Sequence, residues 1–449
     1  MERRSGLGVG TGTALCIGAV LGPGALTLTS TAAAVAGPGS ILAWLGLLVV
    51  SLPIAWVFAV LGARHPGDGG VAAFARAAFG PRLAAPVGWW FYWAVPLGVP
   101  AAALIGGEYV AVAAGWGRSI TATVALLVLA TAYGSNLVGL RLSGRMQLLM
   151  VGLLSSLLVV TIAVTGTHVR PAHFTPFLPH GWTSVGIAAG ILFFAFAGWE
   201  AISHLSAEFA VPSRDLPRAT LLAWGIVSVL YLGLALVTIG VLGSRAGTTT
   251  TPLTLLLEEG FGAPARAVAA TAALLLTFGA VNAYLAGAAR LGEALGHQGA
   301  LPLGIITGAA GATAVPRRSL TVVTLASAVI TVTAAFRLIG LDSLLRATSA
   351  CLAAVTLAGL ASATVLLQGR TLLRISAAAS CLVVGTVLIF CGPYLLVPTA
   401  LAGAATCFHA VKTSARSART HQLAQNCVVG SAVGTVGGRV GKPTAGGAD

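Results

Sequence analysis

Three titratable side chains share one face of a long apolar segment and are the first candidates for chemistry. Glu200, His204 and Glu208 recur every four residues, which aligns them along one side of a helix. A carboxylate deep in a membrane-sized apolar run is a functional hypothesis by default, and the neighbouring imidazole changes charge near neutral pH. The pattern predicts either a proton route through Glu200 and His204 or a brace for the backbone, with Glu208 assigned to bracing. Three ligands in this arrangement cannot converge on one ion, so no metal site is predicted.

Main-chain groups are the second candidates, because two apolar runs contain helix-breaking residues. Gly22-Pro23-Gly24 interrupts the first run, and Ala197-Gly198 precedes Glu200 in the sixth. A broken helix exposes N–H groups at one new end and carbonyls at the other, which attract a carboxylate and an ammonium respectively. Such ends suit the zwitterionic head of an amino acid. Pro23 has no N–H, so the donors would come from Gly22, Gly24, Ala25 or Leu26; taken alone, the first run is equally compatible with a simple kink.

Side chains near these interruptions could complete a site. Phe194, Phe196 and Trp199 flank the second interruption, where they are either ordinary packing or the lid and walls of a pocket. Asn282 lies in the middle of the eighth apolar run, and its amide needs a partner in hydrocarbon, so it faces the bundle. Whether it contacts a substrate or joins two helices stays open. Glu108 is predicted at the outer membrane interface.

The composition defines the elements that position these residues. Only 8% of the 449 residues are charged and 57% are hydrophobic, whereas about a quarter are charged in soluble chains. The apolar stretches are about 20 residues long, as membrane-spanning helices require. This excludes a soluble enzyme, a secreted disulfide scaffold and a β-barrel, and predicts an all-α polytopic membrane protein with about 12 transmembrane helices. The spans lie near 13–35, 40–62, 87–114, 119–138, 143–165, 184–206, 219–243, 265–289, 319–337, 343–367, 372–391 and 393–410.

The charge distribution predicts orientation. The net charge of +14 is spread singly between apolar spans, which indicates topology signals and no nucleic-acid partner. With the N-terminus inside, the inner segments hold 19 of the 25 basic residues. Both termini are therefore expected in the cytoplasm, residues 1–12 as a short N-terminal segment and residues 411–449 as a disordered basic tail. The six cysteines have no spacing pattern that implies a disulfide framework or zinc site.

The two interruptions also predict an internal repeat. Counted by spans, one and six occupy corresponding positions in two five-helix halves. Paired interruptions of this kind are typical of transporters with an inverted repeat and a site at the bilayer midplane. The first repeat covers about 13–165, the second about 184–367, and two extra helices about 372–410.

Three stretches carry a family resemblance. They run from Phe58 to Gly80, from Gly88 to Ala102 (including Val95-Pro96-Leu97-Gly98-Val99-Pro100), and from Phe196-Ala197-Gly198-Trp199-Glu200 through Ser206-Ala207-Glu208-Phe209 to Ala219. In them the chain resembles the amino acid–polyamine–organocation (APC) superfamily, and most closely its bacterial branch that exports methionine and branched-chain amino acids.

The resemblance implies a five-plus-five inverted repeat (LeuT-like) with two added helices and a substrate held between spans one, three, six and eight. It places the carboxylate at Leu21–Ala25, which includes Gly22, Pro23, Gly24 and Ala25. It places the ammonium at the carbonyls of Phe194, Ala195 and Ala197, with Phe194 as the occluding aromatic. Pro23 and Leu26 depart from the family pattern. Span five has no Lys that could replace a sodium ion, and proton coupling follows from the resemblance alone.

These observations predict an exporter of neutral, apolar amino acids (methionine, leucine, isoleucine and valine) by proton antiport in the plasma membrane. The apolar pocket has no residue of opposite charge for a cationic side chain. The expected partners are the amino acid, protons and the lipid bilayer, and no cofactor is expected. An uptake permease or exchanger of the same fold is the alternative, followed by a receptor that binds without transport. An intramembrane enzyme is not supported, because no H-E-x-x-H or G-x-S-x-G motif is present.

Overall fold

The regular structure of this chain is helical throughout the part that can be described. The computed structural model describes residues 8–64, 70–138, 144–200, 202, 209–301 and 316–412. The helices of the first half are α1 Val9–Val20, α2 Gly24–Ala36, α3 Ser40–Arg64, α4 Gly70–Phe79, α5 Pro81–Ala114, α6 Arg118–Leu137 and α7 Gly144–Thr165. Those that follow are α8 Gly181–Phe196, α9 Pro212–Leu242, α10 Pro252–Phe261, α11 Ala265–His297, α12 Arg317–Ala335, α13 Leu341–Leu366 and α14 Thr371–Phe390. The last is α15, Gly392–Lys412, whose first turn is 3-10.

The prediction of a polytopic helical membrane protein is confirmed at this level. Within the described ranges, 10 helical stretches are long and apolar enough to cross a membrane. Twelve spans were predicted, and the difference has two causes. Helices α2 and α3 run together as one stretch, Gly24–Arg64, and α8 is only 16 residues long because it stops at Phe196. Residues 1–7 and the predicted tail beyond Lys412 lie outside the described residues.

Helix α5 is the longest helix of the described chain and packs against several others. Its 34 residues would extend about 51 Å at 1.5 Å per residue, longer than the hydrocarbon thickness of about 30 Å, so the helix must be tilted or protrude. It contacts α4, α6, α11, α12 and α13. Glycines allow the closest approaches: a methyl group on Gly107 would lie 2.2 Å from the carbonyl oxygen of Thr121 in α6. Small residues at such contacts let helix backbones pack in a membrane without a hydrophobic driving force.

Helix α4 and the last two helices, α14 and α15, differ in how much apolar surface they expose. Helix α4 is amphipathic, with Val71, Phe74 and Ala75 buried and Phe79 38% exposed. Helices α14 and α15 are peripheral, since only 22% and 11% of their apolar windows are buried in the protein. An apolar helix that is exposed in this way has its partner in lipid.

Candidate functional site

The interruption predicted at Gly22-Pro23-Gly24 is present. Helix α1 ends at Val20, and the last bond of its ladder runs from the Leu21 N–H to the Ile17 carbonyl at 2.7 Å. Helix α2 begins at Gly24 with no side chain capping its N-terminus. The chain therefore presents the carbonyl end of one short helix and the N–H end of another in the middle of the first apolar run.

Backbone donors at the start of α2 are partly used by the turn itself. The N–H groups of Ala25 and Leu26 each donate at 3.0 Å, to the carbonyls of Gly22 and Pro23. The Gly22 amide lies between the two helices, and the described part of the chain offers it no acceptor. Gly24 is the first residue of α2, where an N–H has no partner within the helix. Of the four predicted donors, Gly22 and Gly24 are thus the two whose N–H groups have no hydrogen bond in the described part of the chain.

The second interruption is present as well, and a side chain braces it. Helix α8 ends at Phe196, Ala197 turns to extended backbone, and Gly198 has a φ of +141°. The Gly198 N–H donates to Glu200 Oε2 at 3.1 Å, and Glu200 is 2% exposed. This hydrogen bond corresponds to the bracing alternative for Glu200. The proton role of Glu200 stays a prediction, and His204 and Glu208 lie outside the described residues.

The two interruptions lie against each other. A methyl group added to Gly198 would be 2.4 Å from the carbonyl oxygen of Ala19 and 3.1 Å from the Cα atom of Val20. Only a residue without a side chain allows this approach, since real Cβ atoms do not come within 3.0 Å of backbone. The backbones of residues almost 180 positions apart in the sequence are therefore in direct contact at the last turn of α1.

Tyr231 joins the carbonyl ends of both interrupted helices, and sequence reasoning missed it. Its hydroxyl lies 2.9 Å from the Val20 carbonyl at the end of α1 and 3.3 Å from the Ala195 carbonyl near the end of α8. Tyr231 is 1% exposed and packs its ring against Trp44 and Phe196 at centroid distances of 5.1 and 5.8 Å. The available signal was a tyrosine in the middle of the apolar helix α9, because a buried phenol needs a hydrogen-bond partner.

The structure places the predicted aromatic residues on different sides of α8. Phe194 lies at the start of α2, where a methyl group on Gly24 would be 3.1 Å from its ring. Phe196 contacts Trp44 and Tyr231, and Trp199 faces a cavity between α3, α13 and α14. Residues 194 and 196 point about 200° apart on a helix of 3.6 residues per turn. Phe194 alone among the three is therefore brought to the N–H end of α2.

Asn282 and Tyr284 of α11 likewise face different neighbours. The Asn136 Nδ2 group of α6 donates to Asn282 Oδ1 at 2.8 Å, so Asn282 joins two helices, as one of its two alternatives required. A methyl group on Gly22 would lie 3.6 Å from the Tyr284 hydroxyl, which places this tyrosine beside the first interruption. Sequence reasoning singled out Asn282 and passed over Tyr284, two positions further along.

Hydrogen bonds close the end of the bundle that the charge count predicts to be outer. Tyr109 of α5 donates to the Leu26 carbonyl of α2 at 2.6 Å and accepts from the Leu253 N–H of α10 at 3.2 Å. Glu108 accepts from the hydroxyls of Thr121 and Thr250 at 3.0 Å each. Helices α2 and α5 are thus tied to the loop and helix between α9 and α11.

Comparisons with known proteins agree on one family. The model of the family described as "Amino acid permease" matches residues 7–414. An uncharacterized amino acid permease of Bacillus subtilis, YecA, is 34% identical over 419 residues, which cover 92% of this chain and 97% of the relative.

Two further relatives have names that state a substrate. The L-methionine/branched-chain amino acid exporter YjeH of Escherichia coli is 33% identical over 292 residues, covering 64% of this chain and 68% of the relative. The branched-chain amino acid permease BcaP of Bacillus subtilis is 29% identical over 268 residues, covering 55% and 57%.

Proposed function

The chain belongs to the amino acid permease family, a family of membrane transporters, and on that premise we propose that it exports neutral, apolar amino acids by proton antiport. The observation that carries the proposal is the contact of Gly198 with the last turn of α1. It brings the N–H end of α2 and the carbonyl end of α8 together within the bundle. Opposite partial charges at these ends complement the two charges of one zwitterion.

We propose the twelve-span arrangement as the frame of this site. The pair α1 and α2 counts as the first span, and α8 with the residues after the second interruption counts as the sixth. The interruptions then occupy matching positions in two halves, about 13–165 and 184–367, with α14 and α15 as the extra helices. This arrangement gives both short helices a common midplane depth, where irregular backbone is tolerated because it lines a cavity.

In the proposed site, the substrate carboxylate binds at the start of α2. The amides of Gly22 and Gly24 donate to it, and the positive end of the helix dipole adds attraction. The ammonium binds the carbonyls of Phe194, Ala195 and Ala197 at the end of α8. Phe194 covers the substrate, because its ring already lies on Gly24.

The proposed selectivity for apolar side chains follows from the charges near the interruptions. Among the described residues assigned to the site, Glu200 alone is ionisable as an acid, and its carboxylate accepts the Gly198 N–H. A cationic substrate side chain would therefore lose its hydration without gaining a dedicated partner. Methionine, leucine, isoleucine and valine have no such cost, and the name of the Escherichia coli exporter agrees with this set.

The direction of transport is tested by efflux. Cells that overproduce the chain are loaded with a methionine- or leucine-containing dipeptide, and the intracellular free amino acid is followed with time. Export predicts faster loss than in cells that carry an empty vector. Unchanged retention together with faster uptake would instead establish an uptake permease, the function that the name of BcaP suggests. Binding in detergent with no flux in proteoliposomes would establish a receptor.

Two variants of Glu200 separate proton coupling from bracing. Glu200→Gln keeps an oxygen that accepts the Gly198 N–H but removes the charge, whereas Glu200→Leu removes both. If Glu200 carries protons, both variants lose the flux driven by an imposed pH gradient, while Gln retains counterflow, which needs no gradient. If Glu200 is only a brace, Gln keeps gradient-driven flux and Leu loses stability as well as transport. Proteoliposomes with and without a pH step distinguish the two results.

A further inference from the structure

Tyr284 differs from the other tyrosines of this chain in the partners of its hydroxyl. All six tyrosines of the sequence lie within the described ranges. Five of them have a hydroxyl that is hydrogen-bonded to the protein: Tyr92, Tyr109, Tyr133, Tyr231 and Tyr394. The hydroxyl of Tyr284 has no hydrogen bond to any described residue. A phenol inside an apolar bundle nearly always has such a partner, so Tyr284 is the exception among the described tyrosines.

The hydroxyl of Tyr284 lies beside the first interruption. A methyl group on Gly22 would be 3.6 Å from this oxygen atom, and no other described group outside the adjacent residues comes within 4 Å of that methyl group. Gly22 is half-buried, although Leu21 and Pro23 on either side of it are buried, and Tyr284 is half-buried as well. Gly22 and Tyr284 therefore keep accessible surface in a region where the adjacent backbone is buried.

The turn at the first interruption offers few donors to a carboxylate. Pro23 has no N–H, and the N–H groups of Ala25 and Leu26 donate to carbonyls of the turn itself. Gly22 and Gly24 supply the two N–H groups that remain. A carboxylate has about four acceptor positions on its two oxygens, so two N–H groups satisfy only half of them. In a buried site the unsatisfied positions cost free energy unless another donor is present.

The Gly22 N–H and the Tyr284 hydroxyl are close enough to bind one carboxylate together. A Cβ atom lies about 2.5 Å from the nitrogen of its own residue, so the Tyr284 oxygen is within about 6 Å of the Gly22 nitrogen. Two hydrogen bonds to the two oxygens of a carboxylate, which are about 2.2 Å apart, span up to about 8 Å between donors. Gly24 faces α8 instead, since a methyl group there would be 3.1 Å from the Phe194 ring.

We propose that Tyr284 is a substrate-binding residue whose hydroxyl donates to the carboxylate and replaces the N–H that Pro23 lacks. The inference rests on the proposed function and adds a selectivity to it. A hydrogen bond to a charged acceptor is stronger than one to a neutral acceptor. The site therefore favours a free α-carboxylate, and it disfavours amino acid amides, esters and peptides, which present a neutral carbonyl oxygen at the same place.

Competition binding to purified protein tests this role with two ligands of the same shape. Leucine and leucinamide each compete with radiolabelled leucine, in wild type and in Tyr284→Phe. We expect Tyr284→Phe to weaken leucine binding at least about tenfold and leucinamide binding less than about threefold, so the preference for leucine falls. Its unfolding temperature should equal that of wild type, because the lost hydroxyl has no hydrogen bond in the described part of the chain.

Tyr133→Phe is the matched control, because its hydroxyl bonds Thr321 of α12 and is assigned to neither interruption. This variant should leave the affinities for leucine and leucinamide unchanged. If Tyr284→Phe weakens both ligands by the same factor, the hydroxyl does not recognise the carboxylate, and the proposal is overturned. A lower unfolding temperature together with equal weakening would identify the hydroxyl as structural.

Failure of this inference is distinguishable from failure of the proposed function. If wild type binds leucine and Tyr284→Phe binds it equally well, only the role of Tyr284 is removed. If wild type binds no neutral, apolar amino acid, the proposed function is wrong, and the role of Tyr284 is wrong with it. Binding at equilibrium does not depend on the direction of transport, so an uptake permease would give the same expected result.

Discussion

The first interruption, between α1 and α2, and the second, after α8, lie against each other. They differ in which groups contact their backbones. At the first, no side chain caps α2, and a methyl group on Gly22 would meet only the Tyr284 hydroxyl, at 3.6 Å. At the second, Glu200 accepts the Gly198 N–H, and a methyl group on Gly198 would overlap the Ala19 carbonyl. At the first interruption the amides of Gly22 and Gly24 have no hydrogen bond in the described part of the chain, whereas at the second the Gly198 amide is held by Glu200.

Under the proposed function, this difference would give the two interruptions different roles in one site. A site that binds the carboxylate with bare N–H groups needs those groups in fixed places, since disorder would cost entropy on binding. Glu200, Tyr231 and the contact of Gly198 with α1 supply that rigidity from the second interruption. In the proposed site, the groups that bind the carboxylate come from the first interruption.

The same substitution at the two glycines is expected to have the largest and most unequal effects. Gly198→Ala places a Cβ atom 2.4 Å from backbone and imposes an L side chain on a φ of +141°. We expect it to destabilise the fold by more than about 3 kcal/mol. Gly22→Ala has room and should stay within about 1 kcal/mol of wild type, but its methyl group narrows the gap, and leucine affinity should fall about tenfold.

Thermal unfolding in detergent and leucine binding measure these two effects on the same samples. Gly152, which has nothing within 4 Å of an added methyl group, provides the control substitution Gly152→Ala. An unfolding temperature of Gly198→Ala equal to that of wild type would contradict the structural role of Gly198. Wild-type leucine affinity in Gly22→Ala would contradict the binding role of the first interruption.

Tyr231→Phe tests whether the two interruptions act as one unit. The variant removes the hydroxyl that reaches both Val20 and Ala195 but keeps the ring contacts with Trp44 and Phe196. Leaving buried carbonyls without that donor should cost about 1–3 kcal/mol of stability. Counterflow of leucine should slow at both low and high pH, since the defect is one of geometry. A variant with wild-type stability and counterflow would show that Tyr231 does not hold the two ends together.

Asn282→Leu is expected to have the smallest effect, because Asn282 belongs to neither interruption. Its hydrogen bond to Asn136 joins α11 and α6, and bonds of this kind in membranes average about 0.6 kcal/mol. Leucine affinity should change less than about twofold, as in the matched variant Asn136→Leu. If Asn282→Leu loses leucine affinity and Asn136→Leu does not, Asn282 contacts the substrate and does more than join the two helices.

The positions of the interruptions were predictable because glycine and proline act locally on the backbone. The breaks at Gly22-Pro23-Gly24 and at Ala197-Gly198 could be predicted without knowing which residues lie nearby in the fold. The ends of most long apolar helices could likewise be predicted from local composition. The partners of Tyr231 and the neighbour of Tyr284 were not predictable, because they depend on which face of α9 or α11 meets the gap. Local sequence does not determine how each of these helices is rotated about its own axis.

Glu200 combines one property that could be predicted from local sequence with another that depends on the folded structure. Its burial followed from its place in an apolar run, and bracing was one of two expected roles. The hydrogen bond from the Gly198 N–H, which is compatible with bracing, depends on the conformation of a single turn and could not be predicted from the sequence. The assignment of Trp199 was limited in the same way, since the helix ends at Phe196 and its regular rotation no longer fixes where the next aromatic residue points.

The central claim is that main-chain N–H and carbonyl groups at the paired interruptions bind both charges of an amino acid. Competition in leucine counterflow with three compounds tests it most directly: leucine, 3-methylbutan-1-amine without the carboxylate, and 4-methylpentanoate without the ammonium. The account predicts that each single-charge analogue competes at least about 100-fold more weakly than leucine, because one set of buried polar ends stays unpaired. Competition by either analogue within about threefold of leucine would contradict it.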